Sequence, residues 1–122
     1  MSENAEGFRA EFLQIEASQD RTGATITLKG EFDLTGAERF WSFLSEALAA
    51  TPRAIVVDTS ALEFIDSSGL MALIRARDAA IEAGAGFRVR DPSPALRRIT
   101  ALSGLEELLR PVDTIHGGQS GC

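Results

Sequence analysis

The first third of the chain alternates apolar and polar residues, which is the pattern of half-buried β-strands. Residues 8–16 end in such an alternation, and ATITLKG at 24–30 alternates cleanly up to Lys29. The DRTG sequence between them is typical of a turn, so we expect an antiparallel hairpin at the edge of a sheet. Gly30 interrupts the alternation, and the EFDL sequence after it predicts a short third strand.

Three later segments carry apolar residues at three- and four-residue spacing, which is typical of helices with one buried face. They cover residues 36–50, roughly 69–83 and roughly 94–103. Thr35 is the predicted N-cap of the first helix, and Glu38 follows three residues later as in a capping box. The aromatic residues of this helix are interpreted as core residues: Phe40, Trp41 and Phe43.

The segments between these helices predict further strands. AIVVD at 54–58 is an apolar run rich in β-branched residues, which suits a strand covered on both faces of a parallel sheet. FRVRD at 87–91 alternates, and LEELLRPVDTI at 105–115 is compatible with a helical turn and a last short strand. The predicted element order is therefore β-β-β-α-β-α-β-α.

Strands that alternate with helices indicate an α/β fold. We predict a single domain over residues 8–115, in which helices pack against a mostly parallel central sheet with an N-terminal antiparallel edge. Residues 1–7 and 116–122 are expected to be flexible. Right-handed crossovers would place the segment after AIVVD at the carboxyl end of a central strand, where open α/β sheets carry their functional groups.

Composition and charge narrow the range of partners. The chain has 122 residues, a net charge of −6 and no block of basic residues, so neither nucleic acid nor an anionic membrane is an expected partner. No apolar stretch approaches the roughly 20 residues that span a bilayer, and MSENAEGF lacks the features of a signal peptide. Cys122 is the only cysteine, which excludes an internal disulfide, and we expect a cytoplasmic protein.

Catalytic signatures are weak. The only histidine, His116, lies in a glycine-rich tail, and DSSGL lacks the first glycine of the G-x-S-x-G elbow, so a serine hydrolase is disfavoured. One histidine and a terminal cysteine predict no metal site, and GAG at 84–86 follows a helix instead of opening one, so no cofactor is predicted. Asp58 and Asp66 could share a proton, but a strand end and a helix start explain them more simply. We therefore predict that the protein is not an enzyme.

The most informative segment is FIDSSGL at 64–70, between a predicted apolar strand region and a predicted helix. The sequence around it, IVVDTSALEFIDSSGLMALI, resembles the core signature of the STAS domain, found in bacterial anti-sigma factor antagonists and in sulfate-transporter tails. GEFDLTGAERF upstream and DPSPALRRITALSGLEELL downstream are similar to the other two pieces of the family pattern, in the same order. The resemblance covers most of residues 24–110. It departs from the family at the C-terminal end, where no further helix is predicted after the last strand.

The resemblance implies a phospho-regulated binding module of the antagonist branch. In that branch the first serine of Asp-Ser-Ser-Gly, here Ser67, is phosphorylated by a GHKL-type partner that is both an anti-sigma factor and a serine kinase. The unphosphorylated form binds this partner and frees the sigma factor, and a metal-dependent serine phosphatase restores it. The predicted partner-binding residues are Asp33, Asp66, Ser68, Gly69, Met71 and Arg75.

Elementary electrostatics agrees with such a switch, because phosphate adds about −1.5 to −2 charges and suits a helix N-terminus. Plain helix capping is the alternative explanation of Ser67 and Ser68. Arg75, together with Arg77 and Asp78, could equally belong to a solvated helix face. For the whole protein, the alternatives are a STAS accessory subunit of a lipid-type ABC transporter, a stress-sensing scaffold, or a small-ligand-binding protein.

Overall fold

The computed structural model describes residues 13–113. The ends predicted to be flexible, residues 1–7 and 116–122, lie outside this range, as do residues 8–12 and 114–115 of the predicted domain. The elements are β1 Leu13–Asp20, β2 Gly23–Phe32, α1 Leu34–Ala49, β3 Ala54–Ile65, α2 Ser67–Glu82, β4 Gly86–Arg90, α3 Pro94–Ser103 and a 3₁₀ helix at Glu106–Leu109.

The four strands form one sheet in the order β1-β2-β3-β4. β1 and β2 are antiparallel and are joined by a two-residue turn at Arg21 and Thr22, whereas β2, β3 and β4 are mutually parallel. The single α/β domain, its mostly parallel sheet and the antiparallel N-terminal edge are therefore confirmed. Strand and helix alternate after the hairpin because each parallel pair requires a crossover, and here each crossover is a helix.

One face of the sheet carries the core. Ile26, Val57 and Val89 lie side by side in register and are all buried. One position further on, Asp58 is half-buried and Arg90 is exposed, and the two form an ion pair at 3.0 Å on the opposite face. The prediction that the AIVVD strand is covered on both faces is therefore wrong, because its burial alternates with the pleat.

Two strands are longer than the hydrophobic pattern predicts. β2 continues through Gly30, which has a φ of 102°, so the predicted short third strand is the end of β2. β3 continues from Asp58 to Ile65, so Asp58 does not lie at a strand end. Register shifts between β2 and β3 accompany both extensions. Such irregularities break the two-residue alternation, which is why the sequence indicated a break and a loop.

The first helix begins before the predicted position. Its N-cap is Asp33, whose carboxylate accepts a hydrogen bond from the N–H of Gly36 at 3.1 Å, and Thr35 lies inside the first turn. The capping-box prediction at Thr35 is therefore wrong. Asp33 and Thr35 are both good cap residues, and the strand that ends at Phe32 decides between them. Phe40 is fully buried and packs edge-on against Phe32, with ring centroids 5.4 Å apart.

The C-terminal part of the described chain follows the prediction closely. Ser93 caps α3 through the N–H of Leu96, and Gly104 ends it with a φ of 71°. After the 3₁₀ helix, Val112 forms a single antiparallel bridge with Phe87 in place of the predicted last strand. None of the helices in residues 13–113 combines the length and the apolar character that a bilayer crossing requires.

Candidate functional site

Two helices start side by side at the carboxyl edge of the parallel strands. Phe32 and Ile65 are paired in register as the last residues of β2 and β3. The next residue on each strand is an aspartate, and the N–H of Asp66 donates to the carbonyl of Phe32 at 3.2 Å. Asp33 and Asp66 therefore occupy equivalent positions on neighbouring strands, directly before α1 and α2.

Asp66 fixes the start of α2. Its carboxylate accepts a hydrogen bond from the N–H of Gly69 at 3.0 Å, and its carbonyl accepts from Leu70 at 2.9 Å. This is an N-cap, so neither serine is needed for that role. Ser67 is the first helical residue and is exposed, whereas Ser68 is half-buried. Within residues 13–113, the hydroxyl of Ser67 makes no hydrogen bond.

Gly69 allows α2 to approach β2 closely. A Cβ atom at this position would lie 2.4 Å from the carbonyl oxygen of Phe32 and 2.9 Å from its Cγ atom. Both distances are shorter than a carbon side chain tolerates, and the nearer atom belongs to the backbone. The glycine of the DSSG sequence is therefore a packing requirement that holds Ser67 at the sheet edge.

A groove of about 600 Å³ runs between α1 and α2. Ser67 and Ser68 lie at one end of its lining, and Met71 and Arg75 continue along α2. Four of the seven predicted site residues thus meet in one place. Asp33, Asp66 and Gly69 do not line the groove; they support it, two as helix caps and one through close packing.

The α1 side of the groove was not predicted. Leu34 and Trp41 are 63% and 42% exposed, and they line the groove together with Ala37, Glu38 and, from α2, Ala72. The interpretation of Trp41 as a core residue is therefore wrong. The signal in the sequence was a second apolar stripe on the same helix, because Leu34, Ala37 and Trp41 follow at spacings of three and four residues.

One charged side chain lines each side of the groove: Glu38 on α1 and Arg75 on α2. Arg75 and Asp78 are exposed as expected for a solvated helix face. Arg77 is not part of that face, because its side chain is only 22% exposed and pairs with Glu107 at 3.7 Å. The groove thus presents an apolar lining with one carboxylate and one guanidinium.

The other predicted carboxylate, Asp58, lies outside the groove. Burial alone would raise its pKa, but hydrogen bonds from Ser60 and from Arg90 outweigh burial and hold the pKa below its ordinary value. Since Asp58 binds Arg90 and Asp66 caps α2, the two aspartates do not form a proton-sharing pair. Among residues 13–113, no three histidine, cysteine, aspartate or glutamate side chains are close enough to bind a metal. His116 lies outside the described residues.

A family model described as "Mlab, STAS domain" matches residues 15–111. Two relatives are similar to this protein over most of the chain. A STAS-domain containing protein of Pseudomonas aeruginosa is 37% identical over 76% of this chain and 91% of its own length. The anti-sigma-F factor antagonist RsfB of Mycobacterium tuberculosis is 33% identical over 80% of each chain.

The solved structures with the same fold include anti-sigma factor antagonists. An anti-sigma factor antagonist from Mycobacterium paratuberculosis superposes with a TM-score of 0.69 at 27% identity, over 80% of this chain and 82% of that chain. The anti-sigma factor antagonist SpoIIAA, in its unphosphorylated form, gives 0.63 at 29% identity, over 80% and 85% of the two chains. SpoIIAA from Bacillus has also been solved in a phosphorylated form, with the same TM-score at 25% identity, over 80% and 88%.

Proposed function

Because the chain belongs to the STAS domain family, we propose that it is an anti-sigma factor antagonist whose partner binding is switched by phosphorylation of Ser67. The antagonists among its relatives and structural neighbours support this role. In the proposed cycle, the unphosphorylated protein binds a GHKL-type anti-sigma factor that is also a serine kinase, and the sigma factor is released. A metal-dependent serine phosphatase reverses the modification. The protein is thus a cytoplasmic regulator of transcription and has no catalytic role.

The observation that carries the proposal is the exposed hydroxyl of Ser67 at the end of the groove. Asp66 already supplies the cap of α2, so the Ser67 hydroxyl has no structural duty that a kinase would have to disrupt. Ser68 lies one residue further into the helix and is half-buried, so its hydroxyl is less accessible to a kinase as the acceptor of a phosphoryl group. An antagonist of this family solved in both phosphorylation states is consistent with a modification that leaves the fold intact.

Phosphorylation changes the groove electrostatically. A phosphoserine carries about −1.5 to −2 charges, and the free N–H groups of a helix N-terminus are a suitable place for them. A partner carboxylate about 4 Å away would be repelled by about 4 kcal/mol per charge at an effective dielectric of about 20. Every 1.4 kcal/mol or so changes a dissociation constant about tenfold. Ser67 is exposed, so solvent screening reduces the repulsion, and a fraction of it is enough to release the partner.

The partner surface that we propose combines the groove with the two helix starts. Leu34, Trp41 and Met71 supply exposed apolar area next to Ser67. Aromatic and methionine side chains are enriched at the centres of interfaces, with charged residues at the rim. Arg75 belongs to this rim and Ser68 to the groove lining beside Ser67, whereas Asp33, Asp66 and Gly69 hold the binding geometry.

The direct test is phosphorylation of the purified chain by its cognate kinase and ATP, followed by intact-mass and peptide mass spectrometry. We expect one phosphate on Ser67 and none on the Ser67→Ala variant. Ser68→Ala is the matched control, because it changes the neighbouring hydroxyl and should remain a substrate. Phosphate on Ser68, or on a residue outside the DSSG sequence, would overturn the site assignment.

The switch is tested by calorimetric titration of the kinase partner. Ser67→Glu should weaken binding by at least about tenfold, whereas Ser67→Ala should bind as the unmodified protein does. Full binding by the glutamate variant, together with full binding by the phosphorylated protein, would refute electrostatic release.

The alternative is a STAS accessory subunit of a lipid-type ABC transporter, or a scaffold of a stress-sensing assembly. It is retained because the matching family model is described as Mlab and not as an antagonist. Ser67 need not be modified in that case. A stable complex with a purified transporter ATPase subunit, and none with a GHKL-type kinase, would favour the accessory role.

A further inference from the structure

The two edges of the sheet differ in how they are protected. β4 has only five residues, its Arg88 and Arg90 are exposed, and its Phe87 is bridged by Val112. β1 has eight residues with the sequence LQIEASQD, and its register with β2 runs without a shift. Proline, bulges and charged side chains, above all lysine, are the usual means of blocking an edge strand; β1 has no proline, lysine or bulge, and its only charges are Glu16 and Asp20. Among residues 13–113, no other strand pairs with this edge, which therefore has backbone groups open to pairing.

The outward-facing backbone groups of β1 can be identified. The carbonyl of Leu13 accepts a hydrogen bond of 2.6 Å from the Arg39 guanidinium, so it points away from β2. At the other end, Asp20 pairs with Gly23 across the two-residue turn. Because orientation alternates along a strand, the outward N–H and C=O groups belong to Ile15, Ala17 and Gln19.

We infer that β1 pairs antiparallel with β1 of a second copy, about a two-fold axis at Ala17. This arrangement joins the two four-stranded sheets into one and keeps the helices of both copies on the same face. Ala17 then lies opposite its own counterpart, and Ile15 lies opposite Gln19. The outward N–H and C=O groups of Ile15, Ala17 and Gln19 then all form hydrogen bonds with the second copy.

Charge selects this register over its neighbours. When Ala17 is opposite Ala17, the exposed side chains of the outer face pair as Glu16 with Ser18 and Gln14 with Asp20. A shift that places Ile15 opposite Ala17 sets Glu16 against Glu16. The opposite shift, with Ala17 against Gln19, sets Glu16 against Asp20. Like charges directly opposite each other on a sheet are destabilising, so of these three registers only the first is free of repulsion.

A second groove, between β1 and α1, gives the pairing an apolar component. It encloses about 330 Å³ and is lined by Ala17, Ala24, Phe43 and Ala47, with Ser18, Gln19 and Glu46 at its rim. In the inferred dimer, Ile15 of the second copy lies opposite Gln19, at the mouth of this groove. Each copy carries a net charge of −6, so added salt should strengthen the association.

The inference goes beyond the proposed function and does not depend on it. Ser67 follows β3, and β2 separates β3 from the open edge. The groove between α1 and α2 is therefore free in each copy, and phosphorylation should leave the dimer unchanged.

The test is sedimentation equilibrium of the full chain over a range of concentrations, with Ser18 as the reporter. Ser18→Glu places a carboxylate opposite Glu16 at two symmetric positions, and we expect a rise of about tenfold in the dimer dissociation constant. Ser18→Lys creates two opposite-charge pairs in the same place, and the dissociation constant should fall. Ser18 is exposed, so both variants should fold, which circular dichroism can verify.

The matched control is Ser103→Glu, which adds the same charge at the exposed end of α3, away from β1. It should leave the dissociation constant within about twofold of the parent value, as expected for a screened distant charge. A chain that is monomeric at every concentration overturns the inference. So does a dimer that responds equally to the glutamate and lysine variants of Ser18, because such a dimer uses another surface.

Discussion

The starts of α1 and α2 are built on the same plan. DLTG at 33–36 and DSSG at 66–69 each follow the last residue of a parallel strand, and those strands end in register. In each, the aspartate caps the helix by accepting a hydrogen bond from the glycine N–H, at 3.1 Å in α1 and 3.0 Å in α2. The cap geometry is therefore common to both helices and cannot by itself be the functional feature.

The difference lies at the first helical residue. Leu34 opens α1 and is 63% exposed, whereas Ser67 opens α2 with an exposed hydroxyl, and both line the same groove. One helix start presents an apolar side chain to the groove and the other presents a hydroxyl. On this repeated scaffold, the apolar contact and the phosphorylation switch that we propose lie side by side.

The largest expected effect comes from Gly69, and Gly36 is its counterpart in α1. At Gly69 an added Cβ meets the backbone oxygen of Phe32 at 2.4 Å, so Gly69→Ala should lower the free energy of unfolding by about 2–3 kcal/mol. At Gly36 it meets the Cδ2 atom of the Leu13 side chain at 2.7 Å, which can move. The helix propensity of alanine offsets up to about 1 kcal/mol, so Gly36→Ala should cost less than about 1 kcal/mol.

Urea denaturation of both variants measures this difference. Equal losses would mean that α1 approaches its neighbours as closely as α2 does, and the two helix starts would then be alike in packing as well as in capping.

The two N-caps should contribute similar amounts to the free energy of unfolding. Asp33→Ala and Asp66→Ala each remove the acceptor for one glycine N–H, which should cost about 1 kcal/mol of unfolding free energy. Replacement of either aspartate by serine keeps an acceptor and should recover most of the loss. Thermal or urea unfolding distinguishes these variants, and a negligible loss for Asp66→Ala would show that one of the serines takes over the cap.

Some elements of the fold could be predicted from the sequence and others could not. Apart from the extra short strand predicted after Gly30, the order of strands and helices, the hairpin and the end of α3 near residue 103 followed from periodicity and turn residues. The bounds of β2 and β3 did not, because register shifts at their paired positions remove the alternation on which strand prediction depends. The N-cap of α1 was placed at Thr35 because a sequence does not reveal where the preceding strand ends.

Only the α2 side of the candidate site could be predicted from the sequence. The DSSG sequence drew attention to α2, and Ser67, Ser68, Met71 and Arg75 do meet in the groove. The contribution of α1 was missed because Trp41 lies next to a core stripe, and a large apolar side chain at such a margin can face either way. Only the packing of α1 against α2 shows that Trp41 lines the space between them.

Asp58 lies outside both helix starts, and its carboxylate should contribute less to the free energy of unfolding than either N-cap does. The pKa of Asp58 is held below its ordinary value of 3.8 by Ser60 and Arg90 against the effect of burial. Its contribution to stability is therefore complete above pH 3.8 and is lost as the pH falls through the lower pKa of the folded state. Asp58→Asn should cost about 0.5 kcal/mol at neutral pH, because Arg90 is substantially exposed, and should flatten the acid limb of the stability curve. Unfolding curves between neutral and acid pH test this, and an unchanged acid limb would contradict it.

The smallest effect on stability, and the most informative on function, is expected at the first helical residues. Ser67→Ala and Leu34→Ala should each change the free energy of unfolding by less than about 0.5 kcal/mol, because both side chains are exposed. Their effects on the proposed partner should nevertheless differ. Leu34→Ala should weaken binding without preventing phosphorylation, since it removes apolar contact area from the groove. Ser67→Ala should bind normally and never be released by the kinase. If the two variants instead show the same defect, the two helix starts share one role, and the division into contact and switch is wrong.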